Sequence, residues 1–298
     1  MMPDGTTPLD FAGQVSELDT FIHTGHQGLS YALAATRFIE ILKRMDLRKE
    51  NANSAEIEKA YERKMKIAKE IEPFAGRQLA KGFPYLMSMA VIRLWSIIEA
   101  SVHALAIEVL KDPERIKSME STAKLKIPIG EFIGTNEEER PELVLQYLKQ
   151  ELRSSLKQGV GQFESTLEPL GLGGSVHDLL RKVLFELSAV RNVIVHRHER
   201  TDRRFLQQCP WMKMKIGEVI EVSDQRFNMY QRAASWYLLQ LHSRSIQFGI
   251  NSPVDDPDPT LLDSVTKKAE NAVVALAFGI YGDHEESKQT ALQGPLPS

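Results

Sequence analysis

The stretch VRNVIVHRHER, residues 190–200, brings together side chains that could do chemistry. Arg191, Asn192 and His196 break into an otherwise apolar helical run. An imidazole, with an ordinary pKa of about 6.5, gives or takes a proton near neutral pH. A guanidinium offers forked donors that match phosphate or carboxylate oxygens. On a helix turning by about 100° per residue, Asn192 and His196 lie four apart and share a face. Arg191 is next in sequence to Asn192 and long enough to swing its guanidinium to that face. Val193, Ile194 and Val195 are core-type residues, and burying the polar triplet without partners would cost about 1–3 kcal/mol per group. The triplet should therefore face a cleft, a partner subunit or solvent. The same residues also suit the plain end of an amphipathic helix, with His196 as a cation favourable to the helix dipole. With eight histidines in the chain, an arginine five residues before a histidine arises by chance about as often as not, so the spacing alone decides nothing.

The elements that must position these residues read as helices almost throughout. Apolar residues recur at spacings of three and four over 29–45, and a charged helix is expected over 54–71, opened by an imperfect capping box at Ser54. The longest apolar helix follows from about residue 83, with Pro84 in its first turn and Pro113 just past its end. Pro128, Gly130 and Gly134 mark turns, and another helix is expected from Pro141 to about Leu156. The run GLGG at 171–174 is read as a loop, not a phosphate-binding glycine motif, because it follows no strand. Ser175 to Asp178 then open the helix that carries Arg191. The alternation in MKMKIGEVIEV, 212–222, predicts a short hairpin, and Ser223-Asp224 cap a long helix behind it. NSPVDDPDP, 251–259, reads as a linker before one last helix at about 260–279 and a polar tail with too little apolar content to order itself. The division expected is a helical extension over 1–80, a main helical domain over 81–250, and a linker, helix and tail over 251–298.

Composition narrows the function classes. Hydrophobic residues make up 42% and charged residues 26% of the 298, enough for a sizeable core. The single cysteine, Cys209, excludes a disulfide framework or a cysteine-based zinc site, and suits a reducing cytoplasm. It sits before Pro210-Trp211 and reads as packing, so no serine, cysteine or histidine triad is supported. No basic n-region or apolar h-region opens the chain. No stretch reaches the roughly 18–20 apolar residues of a membrane span: AVVALAFGIYG is much too short, and Arg93, Glu99 and His103 interrupt YLMSMAVIRLWSIIEASVHALAIEVL. A cytoplasmic protein without a membrane partner is expected. The net charge of −3 does not advertise nucleic-acid binding, so any such contact needs a local basic patch. His196 and His198 would point about 200° apart on a helix, which argues against a metal site there; no metal or cofactor is expected.

Arg191-Asn192 followed by three apolar residues and His196 resembles the signature of the HEPN superfamily of all-helical ribonucleases. The apolar helix with LWSIIE at 94–99 resembles that family's first core helix, which often carries an acidic residue. The hairpin and helix from IGEVIEV to WYLLQL resemble a closing segment of its stand-alone members. The likeness covers roughly residues 83–248, and only the Arg191-Asn192…His196 stretch is specific. It implies an all-α bundle of HEPN type, with a small β-hairpin insertion and extra terminal helices. It also implies a metal-independent endoribonuclease, working as a homodimer with two copies of Arg191 and His196 at one cleft. Asn192 would orient the phosphate or the imidazole. Attack by the RNA's own 2′-hydroxyl needs a base, an acid and positive charge on the phosphorane, which suits these side chains. Glu99 joins the candidate catalytic set as a carboxylate partner for Arg191, with a purely structural ion pair equally open. Arg197, His198, Arg200, Arg203 and Arg204 could track the RNA backbone, or could simply be a solvated helix end. One departure concerns control: the family branch silenced by adenylylation has a tyrosine where this chain has His198. A toxin or antiphage-defence effector with an antitoxin or defence partner is the leading expectation. A non-catalytic dimerisation or RNA-binding module is the alternative. In a third reading, helices 29–72 and 260–280 dock a partner that restrains the nuclease.

Overall fold

Helix-forming periodicity dominates the chain, and the computed structural model is built of helices. It describes residues 11–49, 53–152, 158–250 and 259–292. The order is α1 (Phe11–Leu33), α2 (Ala35–Leu47), α3 (Ser54–Ala80), α4 (Pro84–Leu110), α5 (Pro113–Ser118), α6 (Glu120–Ala123) and α7 (Ile129–Gly134). Then come α8 (Arg140–Glu151), α9 (Val160–Leu167), α10 (Asp178–His196), α11 (Arg203–Gln208), α12 (Asp224–Gln247) and α13 (Pro259–Leu292). The fold is all-α, and among the described residues the only β pairing is a single antiparallel bridge between Arg200 and Val219.

Two compact units form. One comprises Ser16–Ala90 with Glu221–Asp224. There α2 and α3 pack against each other, joined by Lys43–Glu58 and by Thr36 Oγ1 donating to Glu72 at 3.1 Å. The polar lead before residue 29 is itself helical in α1, and α3 runs beyond residue 71 and through Pro73 to Ala80. Asn53 precedes α3 without a side-chain cap, so Ser54 lies inside the helix and the expected capping box does not form. On α2, Phe38, Ile41, Leu42 and Met45 make an apolar stripe at helical spacing that stays exposed.

The other unit holds Val91–Ile220 and the helices after Gln225. Its core is drawn from α4 (Leu94, Ile97, Ile98, Leu105), α8 (Leu145, Leu148), α10 (Leu180, Leu187, Val190) and α12 (Tyr230, Trp236, Leu241). Each is essentially excluded from water and contributes about 1.5–3 kcal/mol by burial. By length and composition α4 is apolar enough to cross a membrane despite its three polar interruptions, and 56% of its most apolar window is buried within the protein. The last helix docks on α10 and belongs to this unit. Its backbone continues to Leu292, past the residue 279 expected. The linker at 251–258, the stretch 153–157 that would have carried α8 to Leu156, and the end of the tail lie outside the described residues.

One of the loops differs from the periodicity reading, and the GLGG loop is where it was expected. The alternating segment 212–222 turns at Lys215–Glu218, where Glu218 N–H reaches Lys215 O at 3.2 Å, but its two halves form no strand pair with each other. It pairs with 199–201, where Thr201 N–H reaches Glu218 O (2.9 Å), Gly217 N–H reaches Thr201 O (2.8 Å), and Ile220 N–H reaches Glu199 O (2.8 Å). The buried Thr201 hydroxyl also donates to the carbonyls of Lys215 and Glu218, a better arrangement for these groups than a free-standing hairpin. The GLGG loop is a tight wrap. Gly171 has φ +79°, and a Cβ on Gly174 would lie 2.4 Å from the Arg244 guanidinium.

Candidate active site

One side of α10 is committed to the core through Leu180, Val183, Leu184, Leu187, Val190 and Val193. The opposite side carries Ser188, Asn192, Val195 and His196, half-buried to exposed. Within the expected opening at Ser175–Asp178 the cap is His177, whose Nδ1 accepts from Leu179 N–H at 3.2 Å. Arg191 sits on the boundary between the two sides, with 23% of its side chain exposed.

That boundary position lets neighbouring groups fix its guanidinium. Arg191 Nη1 donates to Asn192 Oδ1 at 3.1 Å, and Nη2 lies 3.7 Å from Glu99 Oε2 on α4. Glu99 Oε1 in turn accepts from Trp95 Nε1 at 2.8 Å. Trp95 is buried, with its ring 5.1 Å from that of Phe163. A chain of contacts, Trp95–Glu99–Arg191–Asn192, therefore bridges α4 and α10. Glu99 is 44% exposed, so the pair contributes at most about 1 kcal/mol to stability; its effect is orientation. The guanidinium keeps unused donors, because five N–H groups serve one hydrogen bond and one looser ion pair. Arg191 Nε is buried with no hydrogen-bond partner among the described residues.

His196 ends α10, exposed, one turn from Asn192 on the same face. The chain then reverses through His198 and Glu199, both left-handed at φ 50° and 62°, closed by Arg200 N–H to Arg197 O at 3.0 Å. Neither is glycine, so each costs of order 1 kcal/mol or more that surrounding contacts must offset. His198 is therefore not on the helix, and the 200° divergence from His196 does not apply. It projects from the reverse turn, exposed.

The five basic or imidazole residues after the motif separate into two groups. Arg197 pairs with Asp202 at 3.1 Å, and Arg200 Nη1 donates to Gly217 O at 2.9 Å; both are used internally. His198, Arg203 and Arg204 are exposed. Arg204 joins Asn192, Ser188, Gln158, Gln162 and Gln208 around a polar hollow of about 150 Å³. Asp202 caps α11 by accepting Phe205 N–H at 2.8 Å. That bond, followed by the nearby Arg197, holds its carboxyl below the usual range despite partial burial.

Two carboxylates that join the helices around the site, one fully and one mostly buried, escaped sequence reasoning. Glu186 on α10 is fully buried. It accepts from Tyr230 Oη (2.6 Å), Tyr281 Oη (2.9 Å), Trp211 Nε1 and Arg226, tying α10 to α12, α13 and the turn after α11. Burial, then Glu186, pushes both tyrosine hydroxyls far up. Burial works against the Arg226 charge, but Glu186 and Tyr230 outweigh it and hold that guanidinium protonated. Glu164 on α9 likewise binds Arg244 (2.8 Å), Tyr237 (2.7 Å) and Gly174 N–H (2.9 Å). The signal for Glu186 was its phase, three after Val183 and four before Val190, at an apolar position of the helix.

Among the described residues no three His, Cys, Asp or Glu side chains are grouped so as to hold a metal ion. Comparison of this chain with family models, curated proteins and solved structures gives no match.

Proposed function

We propose that this chain is a metal-independent endoribonuclease of HEPN type, acting in a toxin or antiphage-defence setting. The observation that carries the reading is the oriented Arg191 guanidinium, hydrogen-bonded to Asn192 and accessible on the side of α10 that ends in His196. In the proposed reaction a base takes the proton of the RNA 2′-hydroxyl and that oxygen bonds to phosphorus. The bond to the 5′-oxygen then breaks as an acid returns a proton to it. Two copies of His196 across a homodimer cleft serve as base and acid, and Arg191 neutralises the phosphorane. Asn192 orients the phosphate, and Glu99 is a positioning residue for Arg191. Products carry a 2′,3′-cyclic phosphate and a 5′-hydroxyl.

The test is cleavage of matched oligonucleotides that carry either ribose or 2′-O-methyl ribose throughout, with product ends typed. Cutting of the ribose strand alone, with cyclic ends, is the expected result. Cutting of both strands would remove the 2′-hydroxyl mechanism.

A second reading has its own support. The net charge of −3, with Arg197 and Arg200 engaged internally, favours a non-catalytic helical module within a larger assembly. The exposed apolar stripe on α2 is consistent with a protein partner in either case.

A further inference from the structure

A depression of about 480 Å³ opens on the far side of Glu99, between α4, α8 and α9. It falls within the roughly 300–1,000 Å³ of small-molecule sites. Ser96, Glu99, Ala100 and His103 present one face of α4 to it, Lys149 comes from α8, and Gln162, Phe163 and Thr166 from α9. The wall below is packed from buried aromatic rings. Phe163 is buried and lies between the rings of Trp95 (5.1 Å) and Tyr237 (6.3 Å). Two residues connect the depression to the candidate active site. Glu99 lines it while its Oε2 approaches Arg191, and Gln162 also lines the small hollow shared by Asn192 and Arg204.

The electrostatics select the kind of ligand. Lys149 is the cation of the depression, and it faces Glu99 and Glu142. Burial lowers its pKa, and these two carboxylates act in the opposite direction. His103 Nε2 is 2.8 Å from Glu142. With carboxylates offsetting the lysine and the imidazole engaged, the site is a poor receptacle for a phosphate. It suits a neutral, flat group with apolar faces and hydrogen-bond donors on its edge. Glu99 has acceptor capacity for such donors, since a carboxylate offers about four lone-pair sites and Trp95 uses one.

We propose that this depression binds a nucleobase of the RNA strand beside the cleaved phosphate, and that Glu99 selects bases bearing an exocyclic amino group over uracil. The inference rests on the ribonuclease reading for its setting, but binding can be measured without cleavage. The probe is a set of 2′-O-methyl trinucleotides of sequence U-X-U, with X as G, A, C or U, which offer no 2′-hydroxyl for attack. Affinity is read by calorimetry, and occupancy by the indole N–H signal of Trp95 among the three tryptophans. At least one amino-bearing base should bind about tenfold or more tighter than the all-uracil trimer, the loss expected when a charged acceptor goes unmatched. The Trp95 signal should shift with it. Glu99→Gln, which adds an amide donor, should reduce that preference to within about twofold. Ala100→Trp, at an exposed position, should fill the depression and abolish the Trp95 shift. Equal affinity of the four trimers for the wild type would overturn the proposal. So would an unchanged Trp95 response in Ala100→Trp, or the same response to inorganic phosphate alone. Selective binding without cleavage of ordinary RNA would sustain the base site and remove the nuclease; cleavage without selective binding would do the reverse.

Discussion

In the proposed reaction Arg191 needs orientation as much as charge, because a phosphorane is matched by a planar fork and not by a point cation. Its contacts with Asn192 and Glu99 supply that orientation. Arg191→Lys should therefore keep the charge and lose about 10²-fold or more in cleavage rate, with the melting temperature little changed. Full activity in that variant would remove the phosphorane role. The pairing of Arg191 with Glu99 was open to anticipation from sequence, since an acidic residue on a mostly apolar helix needs a partner. Its exposure was not, because the phase of Glu99 relative to α8 and α9 depends on tertiary packing. Glu186 was hidden for a related reason: its donors lie 25 to 95 residues away in the chain. Removing it takes the shared acceptor from Tyr230, Tyr281 and Trp211 and the carboxylate from Arg226. Glu186→Ala should destabilise the unit by about 3–5 kcal/mol, read as a lower urea midpoint. A loss below about 1 kcal/mol would mean that water reaches the cluster.

Helix existence was legible wherever apolar spacing persisted, as in α4, α10 and α12, whereas the ends depended on contacts that no local pattern encodes. Within the expected opening at Ser175–Asp178 it is a histidine that caps α10, and its end is set by a strained turn that pairs with a segment 16 to 21 residues on. At this scale Asp202 couples the motif to α11, capping that helix while pairing with Arg197. Asp202→Ala should cost about 1 kcal/mol. The pH dependence has a definite sign. The folded carboxyl titrates below its unfolded value of about 3.9, so its contribution is fully present above that value. It is lost as pH falls through the lowered one. A cap contribution that grew on acidification, measured as the wild-type minus Asp202→Ala stability difference, would contradict this.

At the scale of the whole molecule, α13 is latched to α10 through Tyr281 and Glu186. That docking was not readable in the sequence, because it joins Val273, Ala277 and Tyr281 to a carboxylate some 95 residues earlier in the chain. A composite site made of two Arg191–His196 pairs requires association. Light scattering at micromolar concentration should give twice the 33.7 kDa of one chain, and a monomer there would undercut the composite site. The most direct measurement is cleavage of labelled structured and unstructured RNAs by the wild type and by His196→Ala, with EDTA present throughout. His196 is exposed, so its loss should leave stability within about 0.5 kcal/mol. Cleavage by the wild type alone, leaving 2′,3′-cyclic phosphates, is the expected result. Equal cleavage by both proteins, or cleavage that EDTA abolishes, would contradict the metal-independent mechanism centred on His196.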